Sequence, residues 1–296
     1  MAAVKTVAVL GTGIMGGPTA RNIAAAGLRT RAWNRTRAKA EPLAEKGSEI
    51  ADTPAAATAG ADAVITLLTA ADAVREVMTG EDGGLEGMDE GSIWIQMSTI
   101  GIAATEEMAG LARETGVTFV DAPVLGTKEP AEEGKLVVLA AGPAEALDSC
   151  TAIFKAIGSR TFRLGEPGQA TRLKIVLNNW VLSVTVATAE TIALAERLGV
   201  DPSLFLEAVE GGNLDSAYAQ MKGRMMIERS FDPSFPLGLA AKDARLVLEA
   251  VDGEDAEPVL PRAIERRLSE ADELGHGDED MAAVYWAADN EPPGDR

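Results

Sequence analysis

Three groups of residues in this chain have types and spacings that could do chemistry. The first is the run Val7-Ala8-Val9-Leu10-Gly11-Thr12-Gly13-Ile14-Met15-Gly16, an apolar stretch that breaks at a G-x-G-x-x-G turn. Gly11 permits the tight turn, Gly13 leaves bare backbone against which a pyrophosphate can lie, and Gly16 lets the following helix pack close to the strand. With Thr12, Ile14 and Met15 these glycines form a loop whose amides, at the positive end of a helix dipole, hold phosphate groups. A strand before the loop and an amphipathic helix after it point to a dinucleotide.

The second group, Asn34-Arg35-Thr36-Arg37, follows the next apolar stretch at 28–33. An NAD-selective site places Asp or Glu here to hold the ribose 2′-hydroxyl. An acidic side chain would repel a 2′-phosphate, whereas an arginine fork grips it with charge-assisted hydrogen bonds. Arg35, with Asn34 and Thr36, therefore predicts NADP(H). The third group lies in the stretch from Gly168 to Asn179, where Thr171, Lys174, Asn178, Val181 and Thr185 fall on one face of a helix. A lysine whose pKa is lowered in a dry cleft is a usable general acid, and an amide one turn along can orient it and bind the same substrate. Helix spacing alone equally describes a surface lysine.

These residues need a scaffold, and the chain supplies two kinds. Up to about Gly165, apolar segments at 61–68, 92–96, 116–120, 136–140 and 160–164 alternate with Ala-rich amphipathic stretches. The alternation predicts a doubly wound, mostly parallel α/β sheet of the Rossmann type, with ligands at the carboxyl ends of its strands. That makes the loops after Leu10, Trp33, Leu68 and Gln96 suspect. From Gly168 the strand signal vanishes. Residues 169–198 lack glycine and proline and show helical periodicity up to Gly199, a helix about 45 Å long. The expected division is 1–165, a nucleotide-binding Rossmann domain, and 166–296, an all-α domain for substrate and dimerisation built on that helix.

Composition narrows the classes. With 46% hydrophobic and 25% charged residues among 296, the chain has the make-up of an ordinary globular protein large enough for two cores. A net charge of −19 argues against nucleic acid and anionic membrane as partners. No apolar stretch long enough to span a bilayer and no leader are read, so a cytoplasmic location is expected. Cys150 is the one cysteine and His276 the one histidine, which excludes an intramolecular disulfide and makes Ser-His-Asp chemistry and cysteine or histidine metal clusters improbable. Cys150 reads as a small buried hydrophobe. The acidic runs 253–257 and 278–280 read as solvated loops, 290–296 as disordered, and Met221, Met225 and Met226 as core. Trp180 lies off the Lys174 face and is expected to pack against the second domain or a partner subunit. The apolar circumference of the long helix suggests a homodimer or homotetramer.

Met97-Ser98-Thr99, Asp121-Ala122-Pro123-Val124 and Lys242-Asp243 complete a pattern with the groups above and with Gly17, Pro18 and Asn22. In that order they resemble the β-hydroxyacid dehydrogenases, which include 3-hydroxyisobutyrate dehydrogenase, tartronate semialdehyde reductase and the glyoxylate/succinic semialdehyde reductases. The resemblance covers nearly the whole chain. It implies a Rossmann domain, an all-α domain built on an interdomain helix, and an active site between them. It further implies Lys174 as catalytic lysine, Asn178 and Thr99 at the substrate, and Lys242 near the nicotinamide, with Leu68 and Thr99 among the cofactor-binding residues. The stretch from Gly126 to Leu136, with Ser234-Phe235-Pro236-Leu237, is most similar to the glyoxylate/succinic semialdehyde branch, where Phe235 would wall the pocket. The implied reaction is NADPH-dependent reduction of a small carbonyl acid, with Lys174 protonating the nascent alkoxide.

One departure stands out. After Ala-Pro-Val the family usually has a serine that contacts the substrate acid, and here the residue is Leu125. Losing a hydrogen bond to a charged group costs about 1.5–3 kcal/mol. Either the backbone amides of Leu125 and Gly126 anchor the acid, or the substrate is less polar. An imine reductase with an apolar pocket is one alternative, although those enzymes typically lack the lysine that is Lys174 here. A catalytically silent NADP-binding module is the other, and the retained Lys174 and Asn178 argue against it.

Overall fold

The computed structural model describes residues 3–252 and 257–289. The acidic run at 253–256 and the tail at 290–296 lie outside the described residues. Six parallel strands form the first sheet, β1 (Thr6–Leu10), β2 (Arg29–Trp33), β3 (Ser48–Ile50), β4 (Ala63–Thr66), β5 (Ile93–Gln96) and β6 (Thr118–Asp121), in the order β3-β2-β1-β4-β5-β6. β1 is buried throughout, as a strand covered on both faces must be. Val7 and Val9 join one hydrophobic core, while Ala8 and Leu10 join another, following the two-residue period of a strand. The order reverses between β1 and β4, and the crevice at such a reversal is where α/β sheets bind ligands.

The segments at 136–140 and 160–164 do not extend this sheet. They form β8 (Leu136–Ala140) and β9 (Gly158–Arg163), which with β7 (Val124–Leu125) make a separate three-stranded sheet. The break has a local cause. Ala122 N still donates to Gln96 O at 2.8 Å, but Pro123 has no N–H with which to continue the ladder, and its carbonyl instead accepts from Leu139 N at 2.9 Å. β3 and β7, of three and two residues, are too short to carry an alternating pattern and were not foreseen.

The chain forms two compact units, Met1–Lys174 and Ile175–Arg296, and the 29-residue helix Gln169–Arg197 runs across the boundary. Freedom from glycine and proline keeps it continuous until Gly199, whose φ of +69° ends it in the left-handed conformation. In the second unit Leu182, Val186, Ala189, Ile192 and Ala193 of this helix share a core with the helices Leu237–Ala250 and Val259–Ala271 and the turn Met281–Val284.

Several smaller expectations meet the structure here. Cys150 is buried in the first unit's core, and burial pushes its thiol up to about 12. Met226 is buried and Met225 packs against the second unit's core, whereas Met221 is 40% exposed, so the three are not all core. Trp180 is 69% exposed, so its own unit does not cover it. Contrary to the reading that no stretch could span a bilayer, the long helix has the length and apolar composition to do so. Asp280, placed in a solvated loop by its acidic neighbours, is fully buried. His276 stacks on Trp286 at 5.5 Å and pairs with Glu279 at 3.1 Å.

Candidate active site

The glycine-rich loop opens at the sheet's reversal point. Gly11 has φ of +100°, and a Cβ there would come within 2.3 Å of Leu67 O and 2.8 Å of the Leu68 side chain. A Cβ on Gly16 would come within 1.9 Å of Gly11 O. These two glycines are required by the chain's own packing. Gly13 differs, since a Cβ there would meet nothing within 4 Å. Gly13 and Ile14 are exposed, Met15 is half-buried, and the buried hydroxyl of Thr12 has no hydrogen-bond partner.

Asn34 braces this loop from the end of β2. Its Oδ1 accepts from Thr12 N at 3.0 Å and its Nδ2 donates to Thr36 O at 3.0 Å. The side chain read as a phosphate ligand thus serves first to join the two loops. Arg37 is engaged by Asp52, and by Glu41 at 3.4 Å. Arg35 and Thr36 are exposed, and Arg35 makes no ion pair with the described residues.

The loops after β4 and β5 are tied together by Ser98, whose hydroxyl accepts from Leu68 N at 2.9 Å and donates to Thr66 O at 3.2 Å. This fixes Leu68 and the adjacent, half-buried Thr99 in one neighbourhood. Leu125 is half-buried on β7 opposite Val137. Gly126 follows with φ of +128°, and a Cβ there would come within 2.8 Å of Leu136 and 3.2 Å of Pro130. Lys174, half-buried, is the last residue of this unit. The first turn of its helix is held by Asp121, which accepts from Gly168 N, Thr171 N and the Thr171 hydroxyl. Burial pushes the Asp121 carboxyl above its usual range, and those donors oppose the shift.

In the second unit Asn178 is buried at 1% exposure, and its Nδ2 donates to Asp243 Oδ2 at 2.8 Å. Asp243 also pairs with Lys242 at 2.8 Å. In the chain Asn178–Asp243–Lys242 the amide's donor is directed at a carboxylate, while its Oδ1 is buried without a partner. Phe235 is half-buried against the core, and its N–H donates to Asp280 at 3.2 Å. Asp280 further accepts from Ser234 N, the Ser234 hydroxyl and Ala282 N, and pairs with the buried Lys222 at 2.5 Å. Burial disfavours both charges. It lowers the Lys222 pKa, whereas Lys222 and the other donors hold Asp280 below the usual carboxylate range.

The sequence comparisons bear on this constellation. The family model for the NAD binding domain of 6-phosphogluconate dehydrogenase matches residues 6–165, and that for NAD-binding of NADP-dependent 3-hydroxyisobutyrate dehydrogenase matches residues 168–287. Glyoxylate/succinic semialdehyde reductase 2, chloroplastic, of Arabidopsis thaliana is 32% identical over 282 residues, covering 95% of this chain and 79% of the relative. The chain belongs to the β-hydroxyacid dehydrogenase family. It is an NAD(P)-dependent oxidoreductase of that type. A second relative is the uncharacterized oxidoreductase YfjR of Bacillus subtilis, 37% identical over 94% of this chain and 98% of its own. In three dimensions, 3-hydroxyisobutyrate dehydrogenase of Salmonella typhimurium superposes with a TM-score of 0.87 at 26% identity, over 95% of this chain and 99% of that one.

The residues present fit a nicotinamide dinucleotide. The open space over Gly13 and the unpartnered Thr12 hydroxyl are what a pyrophosphate seat requires, and the chain's own packing explains neither. Among the described residues no group of His, Cys, Asp and Glu could hold a metal ion. For this β-hydroxyacid dehydrogenase, sequence reasoning missed the structural work of Asp121, Asp243 and Asp280. Two of them stand inside the motifs Asp121-Ala122-Pro123-Val124 and Lys242-Asp243, so the signal was present but their partners lie too far along the chain to be read.

Proposed function

We propose that this enzyme reduces small carbonyl acids of the glyoxylate or succinic semialdehyde class, using NADPH and Lys174 as proton donor. The support for this reading is that Lys174 closes the same compact unit that carries the glycine-rich loop, Thr99 and Leu125. The dinucleotide loop and Lys174 therefore belong to one compact unit. A reduced nicotinamide, when bound, supplies hydride to the carbonyl carbon. Lys174 gives its proton to the oxygen as charge develops there, a contribution of about 10²–10⁴-fold for a positioned general acid. Asn178, one turn further on, offers its buried Oδ1 to the ammonium or to the hydroxyl that forms. Thr99, in the same unit as Lys174, orients the carbonyl.

NADPH is preferred in this reading because no acidic residue closes β2 and Arg35 is uncommitted. At Leu125 a hydroxyl donor is replaced by an isobutyl group, which leaves the backbone at Leu125 and Gly126 to anchor the acid. The test is oxidation of NADPH and of NADH by the purified protein with succinic semialdehyde, glyoxylate and a cyclic imine side by side. Fast turnover of the aldehydes with NADPH supports the proposal. Turnover confined to the imine would replace it with an imine reductase whose apolar pocket Leu125 marks.

A further inference from the structure

The carboxylate of Asp121 is fully buried, and no cation is paired with it among the described residues. Its partners are all donors from the start of one helix. Oδ2 accepts from Gly168 N at 2.9 Å and from Thr171 N at 2.9 Å, while Oδ1 accepts from the Thr171 hydroxyl at 2.7 Å. The first turn of a helix leaves its N–H groups without intrahelical partners, and the dipole there favours a negative charge. One carboxylate therefore satisfies the end of the Gln169–Arg197 helix, one turn before Lys174.

The other side of the contact is rigid. Asp121 ends β6, and its backbone exchanges both hydrogen bonds with Ala141, N to O at 2.9 Å and O to N at 2.8 Å. Thr171 in turn lies 3.2 Å from the Thr105 hydroxyl, which donates to Gly101 O at 2.7 Å, in the loop just after Thr99. Three segments of the first unit thus converge on Thr171. They are the helix Ile102–Glu114 through Thr105, whose hydroxyl ties it to the loop bearing Thr99, the strand end leading into Leu125, and the helix turn bearing Lys174.

We propose that Asp121 and Thr171 form a latch that sets the position of Lys174, making both positioning residues for the proton transfer. This rests on the reading of Lys174 as proton donor. A 1 Å displacement by a change remote from the reacting atoms can cost about a hundredfold in rate. Thr171→Val keeps the side chain's shape and removes its hydroxyl, and Thr171→Ser keeps the hydroxyl.

The experiment measures kcat, carbonyl KM and NADPH Kd for both variants and for Thr171→Val combined with Lys174→Ala. The expected result for Thr171→Val is a kcat lowered by about ten- to a hundredfold with NADPH Kd unchanged. Thr171→Ser should restore most of the rate, and the double variant should be no slower than Lys174→Ala alone, because residues acting as a unit are not additive. Wild-type kcat in Thr171→Val, or a double variant slowed by the product of the two effects, overturns the latch. If Lys174→Ala alone keeps its rate, the proton-donor reading fails first, and the two failures are told apart.

Discussion

In each unit a fully buried carboxylate organises its surroundings, and the two are neutralised differently. Asp121 in the first unit faces backbone amides and a hydroxyl at a helix start. Asp280 in the second faces a buried ammonium, Lys222, besides its hydrogen-bond donors. The first arrangement fixes a helix end without adding a second charge, which suits a region whose cations are wanted for a ligand. The second ties the 231–237 stretch to the turn at 281–284 and uses up both of its charges. The second unit repeats this habit elsewhere, since Arg229 pairs with Glu196 at 2.9 Å and Lys242 with Asp243 at 2.8 Å.

The comparison breaks most visibly at Lys222. Lys222→Met should leave Asp280 charged and unpaired in the interior, at a cost of about 3–5 kcal/mol in stability. Adding Asp280→Asn, which removes the charge and keeps an acceptor oxygen for Ser234 and Phe235 while giving up the one for Ala282, should recover part of that loss. Urea denaturation of the three proteins reads the difference, and equal stability of the single variant and the wild type would show that the pair is not needed.

Acid should separate the two carboxylates in the opposite sense. A carboxyl held below its ordinary range, as Asp280 is, contributes stability above the unfolded value of about 3.9 that is lost as pH falls through the folded value. A carboxyl held above that range, as Asp121 is, favours folding at low pH and loses its contribution as pH rises through the folded value. Below about pH 4 amide hydrogen exchange should therefore rise in the second unit before the first. Simultaneous loss of protection in both would contradict the contrast.

A smaller effect is expected at the ligand-facing charge of the first unit. Arg35→Ala should raise KM for NADPH by about ten- to a hundredfold, the worth of a hydrogen bond to a charged group, and leave NADH kinetics nearly unchanged. Equal effects on both cofactors would remove Arg35 from the 2′-phosphate.

What could be read in the sequence was local. The glycine spacing, the apolar stretches at 28–33 and 92–96, and the glycine-free helix each carry their signal within a few residues. The second sheet was hidden because β7 has two residues and because the loss of one N–H at Pro123, not any change in periodicity, ends the ladder. Asp280 looked solvated because its acidic neighbours are, while the lysine that neutralises it lies 58 residues away. The hydrogen bond from Asn178 to Asp243 was not legible, because the two residues stand 65 apart in the chain.

The most direct test of the catalytic reading is Lys174→Ala, assayed for NADPH-dependent reduction of glyoxylate and succinic semialdehyde alongside fluorescence titration with NADPH. Lys174 as general acid requires kcat to fall by about 10²–10⁴-fold with the NADPH Kd unchanged. A variant that binds NADPH normally and keeps a rate within about tenfold of wild type would contradict it.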